Sequence, residues 1–237
     1  MHAFLTSLVV LTAQASTIDY GNQTINPPQV EALGTIGWSN DESHWAWDSG
    51  LNGGGAFAAA ERTVVSTRGS ATKAYWMWDE GDSQGQAAWL DAASADTFAA
   101  LGLTGAGPAH LIYQFQPSFF QSNFKLKPFS QLKSQYTFTL QSVNHTVSVE
   151  QVWEPNWTAA SPGPGAARYK RAKVIVRVDG NPIGKTEYDE VAGYSINRIY
   201  LSPSRDCIAV SLARFTMTWF EGLNFTAEHQ GFTGRYR

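Results

Sequence analysis

Ser39, Asp41 and His44 sit close together in Gly37-Trp38-Ser39-Asn40-Asp41-Glu42-Ser43-His44-Trp45-Ala46-Trp47. They are the residue types of a nucleophile, a base and the acid that orients the base. Their spacing fixes no geometry, and a polar turn rich in Ser and Asp accounts for the same residues without chemistry. Asp79, Glu80 and Asp82 offer carboxylates for Ca²⁺, but they lack the spaced Asp-x-Asp-x-Asp-Gly pattern. Carboxylates also suit the start of a helix, and one is expected just after them. The aromatic pairs are more specific. Trp45 and Trp47 share one face of an expected strand, and Trp76 and Trp78 share one face of another. If those strands pair, the four rings form a platform. Exposed, it stacks on sugar rings or accepts a partner's strand edge; buried, it is a cross-strand core cluster.

The remaining histidines are scattered: His2 precedes the first apolar run, His110 opens a strand, His145 falls at a hairpin tip and His229 in the tail. No H-E-x-x-H, Walker loop or paired-Cys motif occurs, so the sequence calls for no cofactor, no metal and no catalytic residue that can be named. Gly53-Gly54-Gly55 has no GKS or GKT directly after it and reads as part of a loop over 49–55.

The elements that must position these residues follow from alternation and turn chemistry. The first segment has an echo in Leu201-Ser202-Pro203-Ser204-Arg205-Asp206-Cys207-Ile208-Ala209-Val210. In both, a large apolar residue and Ser precede five mostly polar residues and then apolar-Ala-apolar. That is strand, tight turn, strand, with the Ser bonding to turn amides. An antiparallel pair is expected over 56–67 and 73–78. Ser83-Gln84-Gly85-Gln86 resembles a capping box, opening a helix over about 84–101 with the stripe Leu90, Ala93, Thr97, Phe98 and Leu101, and Gly102 as its cap. Leu111–Gln116 is a strand. Hairpins follow over 136–153, with Asn144-His145 as the turn, and over 173–188, with Asp179-Gly180-Asn181-Pro182 as the turn. The tail from Glu221 is polar and Gly-rich, and is expected to be loose or an edge strand. The fold class is therefore mainly β (α+β): antiparallel sheets built from hairpins, sandwich-like or incomplete propeller-like, with one mid-chain helix.

The chain has 237 residues and a formal net charge of −3. That length buries a full core, and the charge argues against a nucleic-acid groove, which needs clustered Lys and Arg. The basic stretch Arg168–Lys173 runs into Val174-Ile175-Val176 and reads as the solvated start of a strand. Residues 1–15 read as a signal peptide: Phe4–Leu11 is a short apolar run and Ala13-Gln14-Ala15 a small-x-small cleavage site. No segment is long enough to span a bilayer as a helix. Residues 16–31 form an extended leader, and 32–237 one β-rich domain with a possible internal boundary at 159–167. Cys207 is the only cysteine, so no intrachain disulfide forms and the thiol reads as a small core hydrophobe. Asn22, Asn144, Asn156 and Asn224 begin glycosylation sequons.

The strand-turn-strand units resemble the Ser-Pro-Asp-Gly strands of TolB-type propeller blades. The run from Leu201-Ser202-Pro203-Ser204-Arg205-Asp206 to Phe220-Glu221-Gly222, with Ala100-Leu101-Gly102-Leu103 closing the helix, resembles predicted secreted bacterial proteins of unknown function. Asn40 stands where that pattern usually has Pro, and Ser204-Arg205 where it has Asp-Gly. The resemblance implies location and fold rather than an activity. Together these features point to an exported, secreted or periplasmic, non-enzymatic β domain that binds an envelope component, a glycan or a protein. The alternative is a secreted hydrolase whose Asp, Glu and His residues meet only in space. An enzyme calls for a deep cleft with convergent titratable groups; a binding module calls for an aromatic or strand-edge surface.

Overall fold

A computed structural model describes residues 29–30, 32–52, 58–67, 72–79, 83–103, 110–114, 133–155, 170–191, 193–219 and 223–236. In chain order the elements are β1 (Gln29–Val30), β2 (Ala32–Trp38), β3 (His44–Asn52), β4 (Ala58–Ser66), β5 (Thr72–Asp79), α1 (Ser83–Leu101), β6 (His110–Gln114) and β7 (Gln135–Leu140). They continue as β8 (Val143–Trp153), β9 (Lys170–Val178), β10 (Asn181–Lys185), β11 (Asp189–Val191), β12 (Gly193–Leu201), β13 (Cys207–Trp219) and β14 (Leu223–Arg235). The fold is mainly antiparallel β with one helix among the described residues, as the alternation predicts. That helix is not long and apolar enough to cross a membrane.

The strands form three sheets. A central sheet runs β1-β14-β13-β12-β6; an outer sheet runs β10-β9-β8-β7, with β11 also on β9; a third sheet runs β2-β3-β4-β5. Among the described residues only β1 and β14 pair in parallel.

Side-chain alternation shows how the layers stack. On β13, Ile208, Val210 and Leu212 face the outer sheet's Val147, Val149, Val174, Val176 and Val178. Between them, Cys207 and Ala209 face the other way, against Trp38, Trp45, Trp47 and Val65 of the third sheet. An extra residue, Asn197, bulges β12 between Ile196 and Arg198. It moves the outer-sheet face from Tyr194 and Ile196 to Ile199 and Leu201, leaving Tyr200 to the tryptophans. The far face of the third sheet carries Ala46 and Val64 and packs on Phe98 and Leu103 at the end of α1.

Helix α1 is fixed to that face by Arg62. Its guanidinium donates to both oxygens of Asp48 at 2.8 and 2.9 Å, and to Asp91 and Ser94 of the helix at 2.7 and 2.9 Å. The inward stripe is Leu90, Ser94 and Phe98. Ser94 replaces the expected Ala93, which is exposed, because its hydroxyl can both bond Leu90 O and accept from Arg62. The helix ends in a Schellman turn. Leu103 N donates to Phe98 O, Gly102 N to Ala99 O, and Gly102 takes φ 66°, a conformation glycine adopts at little cost.

Three sequence expectations shift. The first long hairpin turns at Gln141-Ser142, with φ 50° and 65°, rather than at Asn144-His145. That pairs Phe138 with His145 and turns the histidine inward. β3 continues through Asn52, so 49–52 are strand; 53–55 lie outside the described residues. The tail is a strand rather than a loose segment: β14 pairs with β13 from Leu223 to Arg235, and β1 covers its other side at Thr226 and Ala227. Its glycines permit close contact. A Cβ on Gly231 would lie 2.4 Å from a Trp47 ring carbon and 2.9 Å from one of Trp45. At the other end, Gln29 and Val30 of the leader pair with Thr226 and Ala227. Residues 1–28 and the 159–167 boundary lie outside the described residues.

Two rigid rings cannot swing away from an added methyl. Gly231→Ala should therefore cost about 1–3 kcal/mol, the usual range for overpacking. Urea unfolding checks this; an unchanged midpoint would contradict the packing of β14 on the tryptophans.

Candidate functional site

The two echoing segments make the same turn. Ser39 N donates to His44 O and Ser202 N to Cys207 O, both at 2.9 Å. The serine hydroxyls accept from the amides of His44 and Cys207 at 3.0 and 3.1 Å, which is the turn-amide role expected of them. Glu42 and Arg205 occupy the same place in the two turns and both adopt positive φ, 55° and 66°. The tips touch: Ser204 donates through N and Oγ to the two oxygens of Glu42, at 2.7 and 2.5 Å. Burial raises the Glu42 carboxyl, but hydrogen bonds from Ser204 and Ser202 and the charge of Arg235 together hold it below its ordinary value.

Ser39, Asp41 and His44 do come together, with Ser43 between them. Asp41 Oδ1 accepts from Ser43 Oγ at 2.6 Å, Ser39 Oγ at 2.8 Å and Ser43 N at 3.0 Å. These bonds, from Ser43 first and then Ser39, hold the carboxyl well below the usual carboxylate range. Ser43 Oγ lies 2.7 Å from His44 Nδ1. A hydrolytic triad runs acid to histidine to nucleophile. Here the acid takes the serine protons directly and never reaches the imidazole, and Ser39 is 2% exposed. The arrangement ties a turn.

The tryptophans divide. Trp45 and Trp47 share a face as expected and stack at 4.7 Å, but they are 0% and 3% exposed. β4 separates β3 from β5, so the two pairs are not on neighbouring strands. Trp76 and Trp78 are backbone partners of Glu61 and Ala59; their side chains lie outside the described residues. So do the side chain of Asp79, and Glu80 and Asp82 entirely. Asn144 is exposed and accepts from Thr139 Oγ at 2.7 Å; Asn22, Asn156 and the side chain of Asn224 are not described.

Spacing alone could not reveal a second carboxylate–histidine pair. His145 Nδ1 lies 2.7 Å from Asp179 Oδ2, and Asp179 Oδ1 accepts from Thr146 N at 2.7 Å. The ring packs against Phe138 and Tyr236. Its Nε2 is buried with no hydrogen-bond partner among the described residues, so no hydroxyl stands ready for activation.

A cleft of about 660 Å³ opens between the central and outer sheets. One wall is His110 and Ile112 of β6, the other Tyr136–Leu140 of β7, with Leu201 and Arg205 at its end. Among the described residues each of β6 and β7 is the last strand of its sheet. Tyr136 OH donates to Ile112 O at 3.2 Å across the gap, and the Tyr113 and Tyr136 rings meet at 4.2 Å. Burial, followed by the Tyr136 neighbour, pushes the Tyr113 hydroxyl's pKa up. Comparison with family models, with curated proteins and with solved structures gave no match.

Asp41 gives the turn a pH signature. Its folded-state carboxyl lies below the unfolded value near 3.8. Its contribution is therefore complete above that value and is lost as pH falls further. Thermal unfolding should show wild type above Asp41→Asn at neutral pH, with the gap closing below about pH 4. A gap independent of pH would contradict the hydrogen-bonded turn.

Proposed function

We propose that this chain is an exported, non-enzymatic β domain that binds an envelope component at the cleft between β6 and β7. The observation that carries the reading is the cleft itself: about 660 Å³ of space between the terminal strands of two packed sheets. Polar groups and aromatic rings line it, groups that fix and orient a bound ligand. Among the described residues its ionisable lining groups are His110, Tyr136 and Arg205. The two described carboxylate–histidine arrangements serve elsewhere, Asp41 and His44 in a turn and Asp179 and His145 beneath Tyr236. Export rests on the apolar run Phe4–Leu11 and on Ala13-Gln14-Ala15. The aromatic platform is a weaker binding surface, because Trp45 and Trp47 have no exposed face to offer.

Two measurements test this reading. Expressed with its own start in a bacterial host, the protein should be recovered outside the cytoplasm beginning at Ser16; a cytoplasmic product retaining Met1 would refute export. Titration of ¹⁵N-labelled protein with defined envelope glycans and extended peptides should move resonances of β6 and β7. Shifts confined to other strands would refute the cleft as the site.

A further inference from the structure

Successive residues of a strand point to opposite faces of its sheet, so a wall built from one face shows every second residue. β6 contributes His110 and Ile112 in that way. β7 contributes consecutive residues, Tyr136 through Leu140, which only the edge of a strand can do. The turn fixes which groups that edge presents. With two positive-φ residues between them, Leu140 and Val143 form the closing hydrogen-bonded pair of a two-residue hairpin. At the other end Val149 N donates to Ser134 O. Alternation between these limits points the amides and carbonyls of Tyr136, Phe138 and Leu140 at β8. Those of Gln135, Thr137 and Thr139 point away from it, to the cleft side. Among the described residues β7 has no second partner strand.

Charge selects the occupant. Among the described residues the lining holds His110 and Arg205 and no carboxylate. Both lie at one end, since His110 pairs with Leu201, from which the Ser202–Asp206 turn departs. The Arg205 guanidinium makes no hydrogen bond or ion pair among the described residues, while its carbonyl accepts from Tyr236 OH at 2.5 Å. Its backbone sits at φ 66°, which residues bearing a Cβ adopt only at a cost. Glu42, in the equivalent place, uses the same conformation to hold Ser204. Arg205, in the same conformation, lines the cleft.

We propose that β7 takes an extended acidic segment of a partner protein as an added strand, main chain against Thr137 and Thr139, with a carboxylate on Arg205 beside His110. This rests on the binding-domain reading and names its ligand class.

The test uses the full chain and a fluorescein-labelled peptide of about six residues, the length of a short strand, alternating Thr and Val with two Asp. Fluorescence anisotropy should show saturable binding. Replacing Asp by Lys, or introducing Arg205→Gly, should each weaken it by about tenfold or more. Glycine accepts φ 66° freely, so Arg205→Gly should keep its melting temperature. N-methylation of alternate peptide amides should abolish binding. Equal binding of the methylated peptide would overturn strand addition, and equal binding of the Lys peptide would overturn the charge assignment. If no peptide binds but a defined glycan moves the β6 and β7 resonances, strand addition fails while the binding domain stands. If neither does, both fail.

Discussion

The architecture depends on large indoles meeting a strand pair stripped of bulk. Trp38, Trp45 and Trp47 project from one sheet onto Cys207, Ala209 and Gly231 of the next. Each indole that leaves water removes roughly 150–250 Å², worth about 4–6 kcal/mol at about 25 cal/mol per Å². Trp38 and Trp45 bury their Nε1 groups with no partner among the described residues. An unmade hydrogen bond of that kind costs about 1–3 kcal/mol, so burial wins at each ring. The same contact explains Cys207. It is 1% exposed, and desolvation, the largest influence, raises its thiol pKa. It acts as a small side chain where a larger one would collide with an indole.

Polar contacts then hold the layers in register. Asn40 N donates to Gly102 O, so the first turn rests on the end of α1. Glu42 joins that turn to its counterpart in the central sheet. Arg62 ties sheet to helix through both carboxylates and lies over Phe98 at 5.1 Å. Its side chain is 8% exposed, and such a buried charge is tolerable only because its donors are matched. Tyr236 closes the second turn from the C-terminal side through Asp206 O and Arg205 O. The backbone of Arg205 is thus held firmly while its side chain has no hydrogen bond or ion pair among the described residues.

Period-two alternation made most strands legible, and Gly102 marked the end of the helix within a residue. The Ser-led turns were readable because one hydroxyl bonds one amide at a fixed spacing. What could not be read depended on partners far along the chain. Gln141-Ser142 lacks the Asn-Gly or Asp-Gly signature of a two-residue turn, so the sequence places the hairpin turn three residues late and His145 at its tip. The Gly-rich tail looked loose because its glycines are explained only by the rings they admit. Trp45 and Trp47 were visible as one face, but whether that face met water or Ala209 was not local information. The cleft belongs to the same class, since β6 and β7 become neighbours only when two sheets pack.

If the packed indoles are scaffold and the free edge of β7 is the recognition surface, amide exchange along that strand must alternate. NMR-detected hydrogen exchange of the unliganded protein reads it residue by residue. The predicted pattern is slow exchange at Tyr136, Phe138 and Leu140, whose amides bond β8, and fast exchange at Gln135, Thr137 and Thr139. Uniform protection from Gln135 to Leu140 would mean that the edge is already covered, and would contradict the account.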